Sequence, residues 1–203
     1  MRYDTSAIAP HGLLGLATST LTHSGAAIRA LFTLLSAPLP STTPSPNPTY
    51  PILIHCTQGK DRTGLSILLL LLLLHAPLSA IAADYAASEA ELLPELDERL
   101  AQIRAMGLPD VFAHCEDGWA ESLSQWLEER YGGVEAYLGS VDVGREECGR
   151  VRNVLGVRGA FCLPVSSYLF GLRTMCGVSS LQHYCSRSSG ALSPVSDFHF
   201  AGL

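Results

Sequence analysis

Pro51-Ile52-Leu53-Ile54-His55-Cys56-Thr57-Gln58-Gly59-Lys60-Asp61-Arg62-Thr63-Gly64 is the stretch on which the reading of this sequence turns. Its first five residues are a short apolar run that fits a buried strand. A polar, glycine-containing loop follows. Residues 65–74 are then leucine and isoleucine, broken only by Ser66. A strand, a loop and a buried helix in that order put backbone N–H groups and the positive end of a helix dipole at one point. That order points to phosphate chemistry.

The residues in the loop suit the task. Hydrolysis of a phosphate monoester needs a grip on the dianion, an attacking group and a proton for the leaving oxygen. Cys56 opens the loop and faces the positive field, an environment that favours a thiolate nucleophile. Arg62, six positions on, can curl back and grip two phosphate oxygens with its planar fork, which a lysine cannot copy. Gly59 and Gly64 relieve steric limits where the backbone wraps an anion. Thr63 is placed to hydrogen-bond the sulfur. His55 fits a loop-ordering role better than that of a base.

The spacing Cys56-x5-Arg62, with His55, Gly59 and Thr63-Gly64, resembles the signature of protein-tyrosine phosphatases. The fuller run Gly59-Lys60-Asp61-Arg62-Thr63-Gly64 is similar to the bacterial and fungal branch that also acts on phosphoinositides. Ala83-Asp84-Tyr85 with Ser88-Glu89, and Tyr131-Gly132-Gly133-Val134-Glu135 with Tyr137-Leu138, match that branch in order. The resemblance covers residues 10–155. It implies that Cys56 forms a phosphocysteine and that Thr57, Gln58, Gly59, Lys60, Arg62 and Thr63 bind phosphate. Lys60 would add charge at the pocket mouth. Asp61 stands either as the general acid or as a tie between the loop and neighbouring backbone. Asp84 either helps position the loop or is a helix-surface carboxylate.

The family carries most of a central parallel sheet ahead of its cysteine, whereas only residues 1–55 precede Cys56. The expected fold is therefore α/β and cysteine-phosphatase-like, helix-rich, with most of the central parallel sheet missing from this chain. Residues 1–156 read as a partial, N-terminally truncated phosphatase domain. The expected function is hydrolysis of phosphotyrosine, and of phosphoinositides as a further class. The alternative is a non-catalytic phosphate-binding pseudophosphatase or scaffold.

Elsewhere, residues 11–36 show helical spacing of Leu13, Leu21, Ile28, Leu31, Phe32 and Leu35. Residues 37–51 alternate proline with serine and threonine, an extended surface loop with a weak polyproline-binding partner as its functional alternative. Helices are expected from residue 78, over 94–106, from Asp117 or Gly118 to Arg130, and over 134–138 and 146–155. Residues 157–203 lose periodicity and read as a poorly ordered tail.

Composition sets outer limits. Of 203 residues, 47% are hydrophobic and 16% charged, enough for a core. A net charge of -6 argues against a nucleic-acid partner. The leucine run covers about ten residues against the roughly 20 that a bilayer crossing needs, so no transmembrane segment is expected. Six cysteines without a CxxC pair, and no signal peptide, favour a reducing cytoplasmic setting. His114-Cys115 lacks a second ligand pair, so neither zinc nor any other cofactor is expected. Glu89, Glu91, Glu95, Asp97 and Glu98 read as a solvated acidic face. Trp119 and Trp126, and Tyr131 and Tyr137, read as packing.

Overall fold

The leucine-rich run forms a helix buried on every side, and the other elements are arranged around it. The structure, a computed structural model, describes residues 11–37 and 52–155 together with the backbone of Leu172–Thr174. The proline-rich segment from residue 38, and the tail apart from those three residues, lie outside the described residues. In chain order the elements are α1 (Gly12–His23), α2 (Gly25–Ser36), β1 (Ile52–Ile54), α3 (Asp61–Leu73), α4 (Leu78–Leu92), α5 (Leu96–Ala105), α6 (Trp119–Tyr131), α7 (Val134–Ser140), α8 (Arg145–Leu155) and β2 (Leu172–Thr174). Short 3-10 turns occupy Leu93–Glu95 and Asp110–Ala113.

Helix α3 is apolar all round, the pattern of a fully enclosed helix rather than a surface one. Leu65, Ile67, Leu68, Leu69, Leu70, Leu71 and Leu73 are all buried. Helices α1, α4 and α7 pack against it. At its carboxyl end the Arg152 Nε donates to the Leu73 carbonyl at 3.0 Å. That contact places a cation where unpaired carbonyls concentrate negative charge. The helix is thus held at its sides and at its far end, which fixes where its N-terminus points.

The helical region over residues 11–36 is two helices rather than one. Ser24 departs from helical geometry (φ −109°, ψ 27°), and the chain restarts at Gly25, a residue of low helix propensity. The break lets α1 and α2 serve different neighbours: α1 lies against α3 and α6, while α2 packs mainly on α8. Strand β1 has a partner. Its Ile52, Leu53 and Ile54 pair in parallel with Leu172, Arg173 and Thr174 of β2. Pairing supplies partners for backbone groups that a single strand leaves open on both edges.

Two buried polar side chains tie the helices together. Tyr137 is fully buried, and its hydroxyl donates to the Leu21 carbonyl at 3.0 Å, joining α7 to α1. Arg99 of α5 is buried too; its Nε donates to the Ala113 carbonyl at 2.7 Å and its Nη1 to the Leu92 carbonyl at 3.0 Å. One guanidinium therefore closes the ends of α4 and of the turn before α6. Leaving a buried carbonyl unpaired costs about 1–3 kcal/mol. Tyr137→Phe should lower the unfolding free energy by about 1 kcal/mol, and Arg99→Leu by about 3 kcal/mol, since the latter strands two carbonyls. Urea titration followed by circular dichroism measures both, and equal small effects would count against Arg99 as a tie.

Candidate active site

The loop between β1 and α3 lies at the N-terminus of the buried helix. Gly59 has φ 75°, in the left-handed region that glycine adopts without strain, and this turns its N–H inward. That N–H donates to Cys56 Sγ at 3.2 Å. The Gly64 N–H closes the first helical turn on the Lys60 carbonyl at 2.9 Å. Arg62 folds back along the loop, and its Nη2 donates to Thr57 Oγ1 at 3.1 Å. The Ser66 hydroxyl donates to the Arg62 carbonyl at 2.9 Å. Cys56 and Arg62 thus belong to one hydrogen-bonded loop.

Cys56, Thr57, Gln58, Asp61 and Arg62 together form the polar end of a cavity of about 320 Å³. Its other walls are mostly apolar, with Thr20 and Gln102 among them. Leu13, Leu16 and Ala17 of α1 form one wall. Ile103, Met106, Leu108, Phe112 and Trp119 form another. This volume falls in the range of small-molecule sites.

The remaining loop residues point elsewhere. Lys60 does not reach the cavity mouth: its side chain is 0% exposed, and its Nζ donates to Asp61 Oδ1 at 2.7 Å. A buried ammonium needs a close carboxylate to offset its lost hydration, and Asp61 is that carboxylate. Thr63 is also buried, and its hydroxyl has no hydrogen-bond partner among the described residues, so the sulfur's donor is the Gly59 N–H rather than Thr63. His55 is half-buried at the loop's start. Asp84 is neither a free surface carboxylate nor part of the main cavity. It borders a void of about 10 Å³ behind Gly59 and Gly64, and burial pushes its carboxyl above the ordinary value. Tyr85 beside it stacks on Trp119 with ring centroids 4.4 Å apart.

Two acidic residues outside the loop accept backbone N–H groups from distant parts of the chain. Glu116 Oε2 accepts the N–H of Leu13 at 2.9 Å and of Leu14 at 3.3 Å, acting as an N-cap supplied from a distant part of the chain. Glu89 was expected on a solvated face. Instead its Oε1 meets His114 Nδ1 at 2.8 Å and its Oε2 accepts the Cys115 N–H at 2.6 Å. The adjacent His114 and Cys115 therefore share one carboxylate, and among the described residues no cluster of metal-ligating side chains occurs. Burial pushes the Cys115 thiol up to about 11, with Lys60 opposing and Glu89 and Asp61 adding to the rise. That cysteine stays a thiol at neutral pH. Trp119 was read as core packing; it is buried and also lines the cavity.

A cysteine and an arginine thus share a glycine-turned loop at a helix N-terminus, where backbone N–H groups favour an anion. Comparison with known proteins gives the family. A model of the tyrosine phosphatase family matches residues 2–156. The chain belongs to the tyrosine phosphatase family. It is 29% identical over 121 residues to the triple specificity protein phosphatase PtpB of Mycobacterium tuberculosis, an alignment covering 52% of this chain and 44% of that protein. It is 34% identical over 117 residues to a tyrosine-protein phosphatase of Nostoc commune, covering 53% of this chain and 40% of that one. The chain spans less than half the length of these curated relatives.

The Glu89 contacts predict a pH dependence. Burial works against its charged form, but the Cys115 N–H and the His114 ring outweigh it and hold the carboxyl below its ordinary value of 4.5. A carboxyl lowered in the folded state stabilises the fold above 4.5, and that stability is lost as pH falls through the folded-state value. Glu89→Gln should lower stability at pH 7 and flatten the acid limb of a stability–pH profile. A limb as steep as wild type would show that other carboxylates carry the acid response.

Proposed function

We propose that this chain hydrolyses phosphate monoesters through a phosphocysteine intermediate, with phosphotyrosine as the substrate its family membership supports best. The observation that carries this reading is the loop itself: Cys56 Sγ held by the Gly59 N–H, with Arg62 folded beside it at the polar end of one cavity. In the first step Cys56 Sγ attacks phosphorus and the ester P–O bond breaks. Arg62 and the loop N–H groups hold the equatorial oxygens as their charge grows. The leaving oxygen takes a proton from Asp61, which lines the same cavity as Cys56. In the second step water attacks phosphorus, Asp61 takes its proton, and the P–S bond breaks to release phosphate and the thiolate.

Asp84 has a supporting role in this scheme, from a position lining the same small void as Gly59 and Gly64. Phosphoinositides are the second substrate class the loop sequence suggests, and the mycobacterial relative is named for triple specificity. The described residues form the helix-rich part of a cysteine-phosphatase fold, with β1 and β2 as the portion of parallel sheet they contain. Among them no helix is long and apolar enough to cross a membrane. A nucleophile that works only as a free thiol fits a reducing, cytoplasmic setting.

Cys56→Ser should abolish turnover of 4-nitrophenyl phosphate while the folded variant still binds vanadate; turnover at the wild-type rate would sink the assignment. Asp61→Asn should slow poor leaving groups by about 100-fold and good ones much less, as removal of a general acid does. An equal loss across a series of aryl phosphates would make Asp61 structural, through its pairing with Lys60.

A further inference from the structure

Gly64 stands in the first turn of α3, where glycine is a poor helix former and alanine the best. Its backbone does not require glycine, because it lies outside the left-handed region that Gly59 occupies. What excludes a side chain there is Tyr85 of α4. A Cβ on residue 64 would stand 3.2 Å from Tyr85 Cδ2 and 3.4 Å from Cε2. Both distances are shorter than a comfortable carbon–carbon contact. The ring of Tyr85 thus rests directly on the backbone of the loop's closing turn.

The ring has little room to yield. Tyr85 is buried and stacks on Trp119, their planes 19° apart. Both rings border one void with Gly59 and Gly64, and that void is only about 10 Å³, the space of a single water at most. Gly59 is the residue whose N–H holds Cys56 Sγ, and the Gly64 N–H closes on the Lys60 carbonyl. Trp119 lines the cavity at whose polar end Cys56 and Arg62 lie. Tyr85 therefore touches the loop backbone and a residue of the cavity wall together. Its hydroxyl donates to no acceptor among the described residues, so the ring rather than the O–H makes this link.

We infer that Tyr85 is a positioning residue for the reaction: its ring, packed on Gly64 and stacked on Trp119, sets where the loop carrying Cys56 and Arg62 stands relative to the cavity. The inference rests on the phosphatase reading for its effect on rate but not for its effect on anion binding. Gly64→Ala, Tyr85→Leu, Tyr85→Phe and the double variant Gly64→Ala/Tyr85→Leu are compared in the full chain, once circular dichroism shows each to be folded. Each is read by kcat and KM for 4-nitrophenyl phosphate and by calorimetric titration with vanadate. Misplacing reacting groups by about 1 Å can cost about 100-fold, so a shift of a few tenths should lower kcat by ~10-fold. Gly64→Ala should show that loss with KM moved less, and should weaken vanadate binding, although alanine suits the helix better. Tyr85→Leu should show a similar loss, and Tyr85→Phe, which keeps the ring, should recover most of the rate. In the Tyr85→Leu background Gly64→Ala should cost almost nothing more, because the added methyl no longer meets a ring. Losses that simply multiply, or a Gly64→Ala chain with wild-type kcat and vanadate affinity, would overturn the inference. If Tyr85→Leu does not fold, Gly64→Ala is placed in a Trp126→Phe chain, which leaves Trp119 as its single tryptophan. Its emission should then shift from that of Trp126→Phe alone, and unmoved emission refutes the link. A wild type without turnover whose vanadate affinities still show non-multiplying losses upholds Tyr85 and refutes the phosphatase reading. Turnover with multiplying losses does the reverse, and a wild type that neither turns over nor binds vanadate refutes both.

Discussion

Everything at the site depends on the enclosure of α3. A helix apolar on all faces has no preferred exposed side, so it is stable only when neighbours cover it completely. Helices α1, α4 and α7 do so, and Arg152 closes its carboxyl end. Once the helix is held in this way, its N-terminus has one position, and the loop that carries Cys56 and Arg62 inherits it. Anion recognition by backbone N–H groups needs this rigidity, because their worth lies in being oriented before the charge arrives.

Buried charges then set what faces the substrate. Lys60 and Asp61 are adjacent in sequence, yet the cation is wholly enclosed while the carboxylate reaches the cavity. The pair takes one positive charge away from the cavity. Glu116 caps α1, and Glu89 holds the His114-Cys115 segment. Both carboxylates serve backbone N–H groups. Cys115 lies near the same charges but is kept as a thiol by burial, which leaves Cys56 as the cysteine of the loop with access to the cavity.

Membership of the tyrosine phosphatase family and the loop geometry support one reading from separate directions. Family similarity speaks to residues 2–156 as a whole, while the geometry speaks to a handful of atoms.

The sequence by itself determined the loop, its cysteine and arginine, and the burial of the helix behind it. These follow from local chemistry: a fixed Cys-to-Arg spacing, a glycine at the turn, and a run of leucines too short to span a bilayer. It also determined most helix positions, because periodicity is a property of neighbouring residues. Tertiary structure alone decided that Lys60 turns inward, that Glu89 and Glu116 are anchors, that Trp119 and Phe112 wall the cavity, and that β1 pairs with Leu172–Thr174. Each of these involves partners from different elements, Glu116 and Leu13 being separated by 103 positions. A carboxylate on an exposed-looking helix face reads the same whether or not a distant backbone N–H meets it. Only packing brings the two within hydrogen-bonding distance.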